Sequence, residues 1–222
     1  MPRYHDLSLP IADHFRWKVE RREKENHAHG NQFQVTWQGW SVHGFTHIDS
    51  PKHMLPEGST TSDFRLEQLC GPAAVVDLTH VPDNQPISAA IIAQQGAHIA
   101  EGDIVLLKTC RELRHSIDTA EFWTTSPWLD REACEWLRAK RIKALGVDFP
   151  QDEAIRHLLT GVVKPMESFV SHDVLLRHGV LLIEYLTNLS ALAKPRTTIF
   201  ALPIKIPNAD GAPARVIAVE ED

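Results

Sequence analysis

Residues 43–53 read HGFTHIDSPKH, and within these eleven residues His43, His47, Asp49 and His53 stand at intervals of 4, 2 and 4. Gly44, Thr46 and Ile48 are poor helix formers and Pro51 breaks helices, so the stretch is not a long helix. In an extended chain the side chains alternate, which turns His43, His47 and Asp49 to one side. Two imidazoles and one carboxylate suit zinc, manganese or iron and leave coordination positions open for water. Pro51 then turns the chain, and His53 can come back over the site. Structural zinc sites are usually closed by four ligands and rich in cysteine. A His/Asp set with open positions favours chemistry, with metal-activated water as the nucleophile.

A second pair belongs with the first. Glu184 lies in the apolar run GVLLIEYL (179–186), where an unpaired carboxylate is costly and a metal removes the cost. His172 precedes it by twelve residues and opens a helical pattern. Helix, turn and returning strand can bring the two to the same end of the domain. Asp148, at the end of IKALGVDF, is a candidate to orient a ligand histidine, and equally reads as a strand-end turn residue. Arg215 is expected to pair with an acid inside the closing hairpin. Trp37 and Trp40 read as core or pocket wall. Cys110 has no histidine partner that would make it a nucleophile.

The elements that must carry these residues are legible as apolar runs. AAVVDL (73–78), DIVLLKT (103–109), IKALGVDF (142–149), GVLLIEYL (179–186), TTIFALPIKI (197–206) and ARVIAVEE (214–221) read as strands. Helical patterns lie between some of them. One spans 87–99 with Ser88 as N-cap, one spans 130–141 with Asp130 as N-cap, and one spans 171–179 and stops at Gly179. Asp210-Gly211 is a turn pair between the last two strands, which predicts a closing β-hairpin. The result is a single mixed α/β domain over 36–222, preceded by an irregular N-terminal arm over 1–35.

Composition excludes several classes. Hydrophobic residues make up 43% and charged residues 23% of the 222, as in an ordinary soluble globular protein. The net charge of −6 argues against a nucleic-acid partner, and the one basic run, RWKVERREK (16–24), is interleaved with acids. No apolar run is long enough for a membrane span. The N-terminus lacks the basic-then-apolar shape of a signal peptide, so the expected location is cytoplasmic. Cys70, Cys110 and Cys134 are odd in number and widely spaced, as expected of reduced thiols and not of a disulfide framework.

HGFTHIDSPKH resembles the HxGTHxDxPxH signature of the cyclase-like metal-dependent hydrolases, a superfamily that includes bacterial kynurenine formamidase and isatin hydrolase. VVDL (75–78), GVDFPQDE (146–153), SHDVLLRHGVLLIEYLTNL (171–189) and ALPIKIPNADGAPARVIAV (201–219) resemble family segments in the same order. The resemblance implies a swivelling β/β/α fold with a mixed sheet, short helices and a closing hairpin. It implies His43, His47 and Asp49 as ligands of a first metal, and His172 and Glu184 as ligands of a second, with Asp49 and Glu184 bridging. His53 matches the proton donor and acceptor. The implied cofactor is zinc or manganese, one or two ions per chain, and the implied assembly is a homodimer or larger homo-oligomer. The implied reaction is arylformamidase-like hydrolysis of a small amide, formamide or lactam C–N bond. Two alternatives remain open: a lyase or cyclase acting on a small carbonyl compound, and a non-catalytic ligand-binding module. In the family the N-terminal arm brings an aromatic residue to the substrate, for which Trp17 is the candidate. Phe45 stands where the family has glycine, and its ring is expected to narrow the pocket. The arm reads FRWKVERR in place of a WPGDPPF-like segment.

Overall fold

The computed structural model describes residues 1–221. Its strands are β1 (Arg3–Asp6), β2 (Glu20–Glu25), β3 (Val35–Gly39), β4 (His47–Asp49), β5 (Cys70–Asp77), β6 (Pro86–Ile87), β7 (Ile104–Lys108), β8 (Trp128–Leu129), β9 (Ala144–Val147), β10 (Leu181–Glu184), β11 (Arg196–Pro203) and β12 (Gly211–Glu220). Its α-helices are short: α1 (Ala89–Gln95), α2 (Ala120–Thr124), α3 (Arg131–Ala139), α4 (Ile155–Leu158) and α5 (Val170–Val174). Eight strands form one mixed sheet in the order β1-β12-β11-β5-β7-β9-β10-β4. β5, β7, β9 and β10 run parallel, and helices cross over between them. β4 pairs with both β10 and the first residues of β12, so the sheet closes on itself through a strand only three residues long.

The parallel strands are apolar on both sides because both sides are covered. Along β5, Ala73 and Val75 face one core with Ile48, Ile199 and Val216. Ala74 and Val76 face another with Ile92 of α1, Leu137 of α3 and Val174 of α5. β7 repeats the alternation with Ile104 and Leu106 against Val105 and Leu107. A third cluster, of Trp17, Phe45, Phe122, Trp123, Ile155 and Tyr185, is mostly aromatic and borders the site described below.

The predicted caps form. Ser88 Oγ accepts from the Ile91 amide, Asp130 Oδ1 accepts from the Ala133 amide at 2.7 Å, and Gly179 ends the turn after α5 at φ +85°. The closing hairpin forms from β11 and β12, but Asp210-Gly211 is not its turn. Gly211 already sits in β12 opposite Asp49, and the chain reverses at Pro207-Asn208. The N-terminal segment is not irregular throughout. β1 extends the main sheet beside β12, and β2 and β3 make a separate exposed ribbon that runs across the 35/36 boundary. Arg215 pairs in a bidentate manner with Asp6 of β1 (2.9 and 2.7 Å), not with an acid of the hairpin. Trp37 is exposed on the ribbon beneath the Arg22 guanidinium and lines neither core nor pocket, whereas Trp40 packs against the aromatic cluster.

Asp148 is buried and accepts hydrogen bonds from the Thr109 amide (3.0 Å), the Thr109 hydroxyl (2.7 Å) and the Cys110 amide (2.7 Å). It thereby fixes the left-handed turn at Cys110 and does not orient a ligand histidine. The Cys110 thiol is pushed up by burial to about 11, which suits an inert side chain. Burial, with the nearby Glu112 carboxylate, pushes Asp148 up to about 7 against the pull of its three donors. An aspartate of the unfolded chain titrates near pH 4, so between about 4 and 7 the folded state binds the extra proton. The Asp148 contribution to stability is therefore greatest below about pH 4 and declines as the pH rises to about 7. The urea midpoint of the wild type should fall relative to that of Asp148→Asn as the pH rises over this range. A pH-independent difference between the two would contradict the assignment.

Candidate metal centre

The site sits where β4 is clamped between β10 and β12. His47 and Asp49 are two apart on β4 and face the same way, as strand alternation requires. Glu184, opposite His47 in the β10–β4 register, ends β10. His172 comes from α5. All four are buried. His47 Nε2 lies 3.2 Å from Asp49 Oδ1 and 3.7 Å from Glu184 Oε2. His172 Nε2 lies 3.4 Å from Asp49 Oδ2 and 3.4 Å from Glu184 Oε1. His43 reaches the site from the preceding turn and not by strand alternation, since the extended chain begins only at His47. Its Nδ1 is 2.7 Å from Asp49 Oδ1, and its Nε2 is 2.8 Å from Asp210 Oδ2. The His53 ring lies tilted against that of His43, centroids 4.1 Å apart, with Nδ1 3.8 Å from Asp210 Oδ2.

Three of the candidate ligands, His47, His172 and Glu184, are held from behind. The Phe45 carbonyl accepts from His47 Nδ1 at 2.9 Å, which leaves Nε2 to face the carboxylates. Phe45 achieves this at φ +61°, a backbone region costly for a bulky side chain. Glycine adopts it freely, which gives a physical reason for glycine at this place in the resembling signature. The ring does not narrow the pocket as expected: it packs 5.0 Å from the Trp17 ring within the aromatic cluster and is not in the cavity lining. Asp152 Oδ2 lies 2.6 Å from His172 Nδ1 and also accepts from the Ser171 hydroxyl. It does for His172 what was expected of Asp148. The Gln151 amide donates to Glu184 Oε1.

Electrostatics follow from these contacts. Burial disfavours the protonated His43 ring, yet its bonds to Asp49 and Asp210 hold it up at about 9. Burial likewise works against His172, and Asp152 and Asp49 raise it well above the usual range. Burial lowers His53, so this ring is neutral near pH 7 and can accept a proton. Burial would raise Asp49, but His47, His172 and His43 hold it well below the usual carboxylate range.

The donors fit a divalent cation. Potential ligand atoms of His47, Asp49 and Glu184 lie within 4.8 Å of one another, and so do those of His43, Asp49 and His53. Asp49 is common to both groups, and its Oδ2 is buried with no hydrogen-bond partner. Such an atom is costly without a cation. The centre opens into a cavity of about 530 Å³ that Trp17, Met54, Ile155, Phe169 and Tyr185 also line. Trp17 thus reaches the pocket by way of the arm. His53 faces the same space.

Asp152, Asp210 and Gln151 escaped sequence reasoning. Asp152 was present in GVDFPQDE as one of several acids, and choosing it needs the path of the loop. Asp210 reads as a turn former because it precedes glycine, and its contact with His43 is visible only in the folded chain.

Comparisons with known proteins bear on this centre. The model of the family described as "Putative cyclase" matches residues 5–154. A kynurenine formamidase of Bacillus cereus is 27% identical over 179 residues, 80% of this chain and 76% of that protein. A structure described as a predicted metal-dependent hydrolase from Bacillus stearothermophilus superposes with a TM-score of 0.77 at 29% identity, over 100% of each chain. Isatin hydrolase A from Labrenzia aggregata shares the fold, with a TM-score of 0.81 at 22% identity over 100% of this chain and 94% of that one.

Removal of the carboxylate behind His172 tests the support of the centre. Asp152→Ala should weaken zinc or manganese binding by about 10- to 100-fold in competition with a chelator, with the circular dichroism spectrum retained. Unchanged affinity would contradict this role.

Proposed function

The chain belongs to the putative cyclase family, and from that premise we propose that it is a metal-dependent hydrolase of a small amide, formamide or lactam C–N bond, arylformamidase-like in its reaction. The observation that carries this reading is the buried His47/Asp49/Glu184 group, one Asp49 oxygen of which makes no hydrogen bond, at the floor of a cavity that His53 also lines. His43, His47 and Asp49 would hold one ion, and His172 and Glu184 a second, with Asp49 and Glu184 shared. We take the ion to be zinc or manganese. When bound, such an ion supplies Lewis acidity, making water nucleophilic near pH 7 and stabilising the developing oxyanion.

The chain's own residues supply positioning and proton transfer. Asp152, the Phe45 carbonyl and Gln151 hold His172, His47 and Glu184 in place. Trp17, Tyr185 and Phe169 form aromatic walls that suit a small flat substrate. His53, partly exposed beside the ligands and lowered by burial, accepts the proton of the attacking water and delivers it to the leaving nitrogen. We further propose a cytoplasmic homodimer or larger homo-oligomer. The three free cysteines suit a reducing compartment, and no helix among the described residues is long and apolar enough to cross a membrane.

Turnover of formanilides and lactams in ¹⁸O-labelled water tests the reaction. Hydrolysis places solvent oxygen in the acid product, whereas a lyase or cyclase does not, and a binding module turns over nothing. His53→Ala should keep its metal and lose about 10²- to 10⁴-fold in kcat. Full turnover by this variant would remove His53 from the mechanism.

A further inference from the structure

The main sheet is covered unequally. Helices α1, α3 and α5 pack on the outward side chains of β5, β7 and β9, among them Ala74, Val105 and Leu145. The outer face of β11, β12 and β1 is left open. Thr198, Phe200 and Leu202 of β11 are exposed on it, while Ile199 and Ala201 between them are buried in the core. The strand registers set Ile217 and Val219 of β12, and Tyr4 and Asp6 of β1, on the same face. An antiparallel face that meets water is ordinarily polar. This one is not: Tyr4 is 69% exposed, Leu202 44% and Phe200 37%, and Ile204, just beyond β11, is 56% exposed. Residues of this size present on the order of 200 Å² each, so these four leave about 400 Å² of mostly apolar surface open to water. Each partner in a standard interface buries about 800 Å². The half-buried Ile217 and Val219 and a polar rim extend the patch towards that area.

The charges on this face suit a second copy of the chain. Its ion pair, Arg215 with Asp6, is bidentate and exposed. The pair brings one charge of each sign, so a twofold axis through the face sets opposite charges against each other without like-charge repulsion. Leu202 and Ile204 also line, with Leu9, Pro10 and Ile11, a groove of about 420 Å³ with room for a side chain of the facing copy.

We infer that two copies of this chain associate through the outer face of β11, β12 and β1, sheet against sheet. The inference rests on the proposed homodimer and goes beyond it by naming the surface. The face shares no residue with the lining of the metal-centre cavity, so its test needs no substrate.

Sedimentation velocity of the full chain over about 1 to 100 µM provides that test. The wild type should sediment as a dimer. Leu202→Glu and Ile204→Asp each place two unpaired carboxylates in the interface and should raise the dimer dissociation constant at least about 100-fold. Both positions are about half exposed in the single chain, so the circular dichroism spectrum should be retained. If either variant loses that spectrum, Leu202→Ser takes its place, with a rise of at least about tenfold expected. Phe33→Glu, at an exposed position beside the separate ribbon, should leave the dimer intact. A wild type that stays monomeric would overturn both the face and the homodimer reading. A dimer that survives the substitutions at Leu202 and Ile204, or that Phe33→Glu dissociates in their place, would overturn the face and leave the homodimer reading standing. A wild-type monomer captured by phosphatidylcholine vesicles would overturn the inference by giving the face to a lipid surface.

Discussion

Asp49 is buried, three imidazoles surround it, and one of its oxygens has no hydrogen-bond partner. A carboxylate in that position is tolerable only if positive charge compensates it. The rest of the site is arranged around that constraint. β4, three residues long, is held on both edges by β10 and β12, which places Asp49 opposite Leu182 on one side and Gly211 on the other. A Cβ at Gly211 would meet the His43 ring at 2.7 Å, so glycine there lets the imidazole approach the strand.

Rigidity and strain are paired in this arrangement. The parallel strands are packed on both faces, and that double core fixes where β10 ends and therefore where Glu184 stands. Against this frame the chain holds two bulky residues with left-handed backbone next to the candidate ligands, Phe45 at φ +61° and Tyr185 at φ +55°. Strain of this kind persists when surrounding contacts over-determine the conformation. The aromatic cluster that buries both rings supplies those contacts. Thr46 adds a polar one, accepting from the Leu9 amide at 2.8 Å and donating to the Tyr185 carbonyl at 2.7 Å. The N-terminal segment is thus tied to the floor of the site before it delivers Arg16 and Trp17 to the cavity.

The fold was legible where the signal is local. Apolar runs mark six strands of the main sheet, β5, β7 and β9 to β12, and Ser88, Asp130 and Gly179 mark helix ends, because capping and burial act over a few residues. β4 was visible only as ligand spacing, since three residues are too few for a hydrophobic pattern. β1 carries RYHD, a polar edge strand with no apolar period, and so read as irregular. Within the site, the ligand candidates were evident from residue type and spacing, but their supports were not. Asp148 and Asp152 lie four apart in the same segment, and only the loop path decides that the second meets His172. Residue type at Phe45 speaks only of its ring, whereas the left-handed backbone there and the packing against Trp17 emerge only in three dimensions.

The central claim is that this group of carboxylates and imidazoles is a metal centre. Elemental analysis of wild type and His47→Ala side by side tests it most directly. His47 is buried, and its Nε2 lies within reach of both carboxylates. One to two equivalents of zinc or manganese per chain, lost in the folded variant, is the predicted result. A wild-type protein that carries no metal and takes up neither zinc nor manganese when they are supplied would contradict the account.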